Sequence, residues 1–131
     1  MKQSIIILFL SMSFVLLSCS DSGSPVSLGG NQVKLVEPAK LKEAVKNVED
    51  ALLQGDAVKL KSMMLPKYLP QYESAIDGNG SKLVGFGEIF KTRKLIALDK
   101  IYAVYQVAYN GSYYEITFGW DDEGNWKLMN F

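Results

Sequence analysis

The chain has 131 residues, with 14 basic and 14 acidic side chains, a formal net charge of zero, no histidine and one cysteine. Because there is no basic surplus to displace counterions from a phosphate backbone, nucleic-acid binding is not expected. One cysteine excludes an internal disulfide and a thiolate metal cluster, and the lack of histidine removes a common acid–base group and metal ligand. No metal or other cofactor is expected, and the length suits one domain.

The N-terminus is typical of an export signal. Lys2 supplies a positive charge, and residues 5–17 form an apolar run of 13, the length of a signal-peptide core and short for a membrane span. The following tetrapeptide LLSC, residues 16–19, resembles the lipobox of bacterial lipoproteins. This resemblance implies cleavage after residue 18 and a lipid on Cys19. An uncleaved apolar helix with a chance cysteine is the alternative.

Lipid on Cys19 would hold the protein in a membrane of the cell envelope, because two or three acyl chains anchor stably. Ser20 stands where an acidic residue would retain an enterobacterial lipoprotein in the inner membrane, so an outer membrane is expected. Residues 20–36 are rich in Ser and Gly and predict a flexible tether. The predicted divisions are a signal peptide (1–18), a lipidated cysteine with its tether (19–38) and a folded domain (39–131).

Residues 39–54 are predicted to form an amphipathic helix. Its apolar side chains recur at three- and four-residue steps: Leu41, Ala44, Val45, Val48, Ala51 and Leu52. Gly55 is predicted to end this helix in the left-handed conformation. Asp56 is predicted to cap a second helix that runs to Pro66. Residues 67–76 predict a short helix or turn that Pro70 interrupts.

Residues 77–81 predict a loop. Four side chains match the first, third, fifth and twelfth places of an EF-hand calcium loop: Asp77, Asn79, Ser81 and Glu88. Lys82, however, stands where the sharp turn requires glycine, so a solvated connector is favoured over a calcium site. The run Gly85-Phe86-Gly87 is interpreted as a place where the backbone bends or approaches another segment. Residues 82–91 fit either a strand or a short helix.

The last third of the chain predicts an antiparallel sheet. Residues 93–98 predict one strand, and residues 102–109 and 112–120 predict a hairpin around Asn110-Gly111. A second turn at residues 122–124 leads into a last strand. This register places one apolar set of side chains on a common face, namely Ile101, Ala103, Tyr105, Val107, Tyr109, Tyr114, Ile116, Phe118, Trp120, Trp126 and Leu128. That face is expected to pack against the first long helix.

The order of these elements resembles the nuclear transport factor 2-like superfamily of cystatin-like α+β cones. The residues that carry the resemblance are Leu52-Leu53-Gln54-Gly55-Asp56 before the second helix, the Asn110-Gly111 hairpin and the sequence DEGNWKL at 122–128. For residues 39–131 the resemblance implies an α+β domain, with N-terminal helices packed on a curved antiparallel sheet of three to four strands. It also implies a pocket between helix and sheet. Some members are isomerases, dehydratases or hydrolases, whereas others bind ligands without chemistry or dimerise.

The favoured function is a noncatalytic binding module for a small ligand, a glycan or another envelope protein. Five aromatic side chains of the apolar face are the candidate pocket lining: Tyr105, Tyr114, Phe118, Trp120 and Trp126. The alternative is that these aromatic residues simply fill the core.

Two other functions stay open. An enzyme would need a buried carboxylate with a raised pKa, and four acids are considered: Glu73, Glu88, Asp99 and Glu115. No catalytic residue is assigned, since surface exposure is the usual state of such acids. In an interaction protein, the opposite sheet face would seat a partner or a second copy through Tyr102, Val104, Ala108 and Tyr113.

Overall fold

The computed structural model describes residues 34–131; the predicted signal peptide, Cys19 and most of the predicted tether lie outside this range. Four helices precede four strands: α1 (Ala39–Gln54), α2 (Ala57–Ser62), α3 (Leu69–Ile76), α4 (Gly80–Phe90), β1 (Lys94–Leu98), β2 (Tyr102–Tyr109), β3 (Ser112–Trp120) and β4 (Trp126–Asn130). The strands form one antiparallel sheet in the order β1-β2-β3-β4, and the helices pack against it. The predicted α+β fold class is therefore confirmed.

The first helix and its end follow the predicted pattern. Its buried residues are those of the apolar stripe: Leu41, Val45, Val48, Ala51 and Leu52. Gly55 is left-handed at φ 63°, and its N–H donates to the carbonyl of Leu52 at 2.9 Å. The Asp56 carboxylate accepts the backbone N–H of Lys59 at 2.9 Å, which caps α2.

The second helix is shorter than predicted, because it ends at Ser62 and not at Pro66. The backbone that follows pairs with β4 instead. The N–H of Leu128 donates to the carbonyl of Met63, and the N–H of Leu65 donates to the carbonyl of Leu128, both at 2.9 Å. This segment therefore covers the outer edge of β4, which would otherwise expose unpaired backbone groups.

Two expectations about the middle of the chain were wrong. Pro70 does not interrupt a helix: it lies in the first turn of α3, where its missing N–H is not needed. The loop predicted over residues 77–81 is shorter, because α4 begins at Gly80. Residues 82–91, which fitted either a strand or a helix, are helical up to Phe90.

An EF-hand loop is not formed, because α4 begins at Gly80, the fourth of the twelve loop positions, so most of the predicted loop is helical. Glu88 lies on α4 and forms an ion pair with Lys91 at 2.8 Å. Within residues 34–131 no three His, Cys, Asp or Glu side chains are grouped so that they could hold a metal ion.

The close approach expected at Gly85-Phe86-Gly87 occurs at Gly87. A Cβ atom at Gly87 would lie 3.0 Å from the backbone nitrogen of Leu53 and 3.1 Å from the Cβ of Leu52. At Gly85, by contrast, no atom other than those of its chain neighbours and of its own helix backbone lies within 4 Å of the corresponding position. Helix α4 thus packs tightly on α1 on the side of Gly87, and the side of Gly85 borders open space.

The predicted strand register is confirmed. Val107 pairs with Tyr114, Tyr105 with Ile116 and Ala103 with Phe118, while β4 sets Leu128 opposite Phe118 and Trp126 opposite Trp120. Asn110, Gly111 and Gly124 have positive φ angles of 50°, 77° and 77°, as the two predicted turns require. Ile101 lies just outside β2, although its carbonyl accepts the N–H of Trp120 at 3.1 Å.

The predicted inner face of the sheet shares one core with α1. Its buried members include Ala103, Tyr105, Val107, Ile116 and Phe118, and every member of the buried cluster lies between residues 41 and 128. Residues 34–131 therefore contain their own core. In this part of the chain, no helix is both long enough and apolar enough to cross a bilayer.

Candidate functional site

The five aromatic residues proposed from the sequence do not surround one pocket. Tyr105 and Phe118 are buried in the core, where their rings meet edge to face with centroids 5.7 Å apart. Trp120 and Trp126 form a second edge-to-face pair at 5.7 Å, at the end of the sheet away from the β2–β3 turn. Trp120 is 46% exposed, and Tyr114, nearer that turn, is 50% exposed. A ligand-binding role for these residues stays a prediction.

The cavity that best suits a ligand lies between α4 and the β2–β3 hairpin, and we call it the α4 cleft. Its volume is about 750 Å³. Its lining residues are Ala75, Lys82, Leu83, Gly85, Phe86, Ile89, Val107, Tyr109, Tyr114 and Phe131. Tyr114 is the member that the sequence prediction shares with this set.

One wall of the cleft is a single stripe of α4. Lys82 precedes Gly85 and Phe86 by three and four residues, and Ile89 follows them by four and three, so all four share one side of the helix. The tight contact of Gly87 with α1 holds this side in place. Because Gly85 has no side chain and no neighbour within 4 Å, it leaves room in the cleft.

The opposite wall is the inner face of the sheet near the hairpin turn. Val107, Tyr109 and Tyr114 continue the face that is buried further along the strands at Tyr105 and Ile116. Val107 is still buried, but Tyr109 is 48% exposed and Tyr114 is 50% exposed. The apolar face therefore runs out of the core into a cleft that is open to solvent.

Phe86 and Phe131 contribute two aromatic rings to the cleft, and Tyr72 supports them from outside its lining. The Phe131 ring stacks on Tyr72 with centroids 5.1 Å apart and meets Phe86 at 5.5 Å. These separations are in the range of favourable aromatic pairs. The rings support one another, so this part of the wall is formed before any ligand arrives.

The charge of the cleft comes from one side chain. Lys82 has the single charged side chain in the lining, and it forms no ion pair within the described part of the chain. The nearest acid in sequence on the N-terminal side, Asp77, is paired with Lys61 at 2.8 Å. The cleft can therefore bury apolar groups and offer one positive charge together with two tyrosine hydroxyls.

The four acids considered for catalysis lie on the surface. Glu115 and Asp99 are exposed, Glu88 pairs with Lys91, and Glu73 lies 3.8 Å from Lys61. None of the four lines the α4 cleft. Among residues 34–131 no charged side chain is buried.

A larger groove, of about 950 Å³, runs beside β3 and β4 on another part of the surface. Its charged lining residues have both signs: Lys67, Asp121, Asp122, Glu123 and Lys127. Tyr102, from the sheet face proposed for partner binding, also lines it. On that face Tyr113 is 71% exposed. The mixed charges select no single class of ligand, and the interaction role of this face stays a prediction.

Sequence reasoning missed one contact and most of the cleft. Glu37, placed in the predicted tether, accepts a hydrogen bond from the Tyr105 hydroxyl. Burial, and then this bond, raise the pKa of Tyr105 far above its ordinary value. The α4 wall was missed because residues 82–91 were left open; a helical interpretation would have aligned Lys82, Phe86 and Ile89.

The comparisons with known proteins add no template for the site. No family model, curated protein sequence or solved structure gives a significant match to this chain.

Proposed function

We propose that this protein is an extracytoplasmic lipoprotein, anchored in the cell envelope by lipid on Cys19, whose α+β domain is a noncatalytic binding module. The α4 cleft is the observation that carries the binding role. Its volume of about 750 Å³ and its largely apolar lining are typical of small-molecule sites. The succession of helices and a four-stranded meander supports the proposed relationship to the nuclear transport factor 2-like superfamily.

A ligand in the cleft would cover apolar surface that the fold leaves in water. Phe86 and Ile89 on α4 face Val107 and Tyr114 on the sheet, and no side chain of the described chain fills the space over Gly85. Covering roughly 150 Å² of such surface at ~25 cal/mol per Å² contributes about 4 kcal/mol before the costs of association.

The binding role is tested with the mature, unlipidated chain (residues 20–131) and the neutral apolar fluorophore N-phenyl-1-naphthylamine. We expect saturable fluorescence enhancement with the unmodified chain and with Gly85→Ala. Gly85→Leu should fill the cleft and lose most of the signal, while thermal unfolding shows that its fold is intact. The cleft would be ruled out as a binding site if the unmodified chain gives no fluorescence enhancement. It would also be ruled out if Gly85→Leu gives the same enhancement as the unmodified chain.

The anchoring role is tested in bacteria that express the full chain. With an alkyne analogue of palmitate in the medium, the protein should become labelled and fractionate with membranes. Cys19→Ala should lose the label, while the matched variant Ser20→Ala keeps it. An unmodified chain that fractionates with membranes but takes up no label would support an uncleaved N-terminal helix and refute the lipoprotein assignment.

A further inference from the structure

The polar and apolar parts of the α4 cleft are distributed unequally. Its most buried lining residues, Leu83 and Val107, are aliphatic, and aromatic rings of Phe86 and Phe131 adjoin them. The groups that can bind a polar atom are the Lys82 ammonium and the hydroxyls of exposed tyrosines on the sheet. A ligand that matches this lining has a long apolar part and one polar end.

The electrostatics of α4 specify the sign of that polar end. Lys82 is the third residue of α4, and the first turn of this helix contains no acidic side chain. Asn79, which precedes the helix, gives no side-chain cap, because its amide nitrogen donates to the carbonyls of Ser74 and Asp77. A lysine at this end adds to the positive pole of the helix dipole, where acids are usual. The rim of the cleft therefore favours an anion.

From this arrangement we infer that the α4 cleft binds a single alkyl chain that ends in an anionic headgroup, either a carboxylate or a phosphate. This inference rests on the proposed binding function and specifies its ligand class. The chain lies against Phe86, Ile89 and Val107, and the headgroup lies at the Lys82 ammonium. The Lys82 ammonium would repel a cationic amphiphile, and it would make no ion pair with a neutral one.

The test compares four ligands with the same twelve-carbon chain: laurate, dodecyl phosphate, 1-dodecanol and dodecyltrimethylammonium. Each displaces N-phenyl-1-naphthylamine from residues 20–131 at concentrations below its micelle-forming range. We expect at least one anion to bind about five- to tenfold more tightly than the cation. Preference for laurate assigns a carboxylate headgroup, and preference for dodecyl phosphate assigns a phosphate. Shortening the preferred anion should weaken binding about three- to fourfold per methylene removed.

A charge reversal gives the decisive comparison. Lys82→Glu should reverse the order of anion and cation, and an acid in this first turn suits the helix dipole, so α4 should stay folded. Lys42→Glu, on an exposed position of α1, changes the net charge equally and should leave the order unchanged. The inference fails if all four ligands bind equally, or if Lys82→Glu keeps the original order of anion and cation affinity. In either case, fluorophore binding would still support the cleft as a binding site. If the fluorophore does not bind either, the proposed function and this inference both fail.

Discussion

The hydroxyl of Tyr105 on the buried face of β2 donates a hydrogen bond to the carboxylate of Glu37, 68 residues earlier in the chain and two residues before α1. This contact joins the segment that leads into α1 to the centre of the sheet. It also supplies a partner for the hydroxyl of a tyrosine that is buried in the core. Residues 34–38 form no helix or strand, so this bond helps to set where the folded domain begins.

Removing the Tyr105 hydroxyl should destabilise the domain. In Tyr105→Phe the half-buried Glu37 carboxylate loses its donor, and we expect the free energy of unfolding to fall by about 1–2 kcal/mol. Urea denaturation measures this change. Tyr113→Phe, at an exposed position, serves as the control and should stay within about 0.5 kcal/mol of the original chain. Equal effects of the two substitutions would show that the bond does not contribute.

The stability of the domain should fall in alkaline solution, and Tyr105 should account for part of the fall. In the unfolded chain this phenol ionises near pH 10, whereas in the fold its pKa is far higher, because burial and the bond to Glu37 both disfavour the phenolate. The contribution of the Tyr105 phenol to the free energy of unfolding is complete below about pH 10. Above that pH it decreases by up to about 1.4 kcal/mol per pH unit. Urea unfolding between about pH 9 and pH 11 should show a shallower decline for Tyr105→Phe. Parallel pH profiles would contradict the assignment.

Two glycines of α4 should respond in opposite ways to the same substitution. Gly85→Ala should stabilise the domain by about 0.5–1 kcal/mol, because alanine favours a helix and nothing lies near the new methyl group. Gly87→Ala should destabilise it, since the methyl group would lie 3.0 Å from the backbone of Leu53 and separate α4 from α1. Thermal denaturation of both variants measures the difference. A stabilised Gly87→Ala protein would show that this helix contact is loose.

The start of α2 should depend on the side chain of Asp56. Asp56→Ala removes the acceptor for the N–H of Lys59, and we expect a loss of about 1 kcal/mol in the free energy of unfolding. Asp56→Asn retains a capping oxygen and should keep most of the stability, which chemical denaturation would reveal. If alanine and asparagine behave alike, the cap is not what stabilises this helix.

The strand register and the end of α1 could be determined from local sequence. Asn110-Gly111 sets the length of the hairpin loop, and strict alternation then assigns Tyr105, Ile116 and their neighbours to one face. Gly55 similarly ends α1 because few other residues accept its backbone conformation. These features depend on residues close in sequence, so a pattern in the chain contains all the information they need.

The end of α2, the helical state of α4 and the position of the cleft depended on contacts between distant residues. Met63 leaves the helix because its carbonyl pairs with Leu128, and α4 tolerates its glycines because Gly87 packs against Leu53. Alternation placed Tyr114 on the inner face but could not show that this end of the face stays open. Periodicity determines where a side chain points from its own element, whereas the tertiary structure decides what lies opposite.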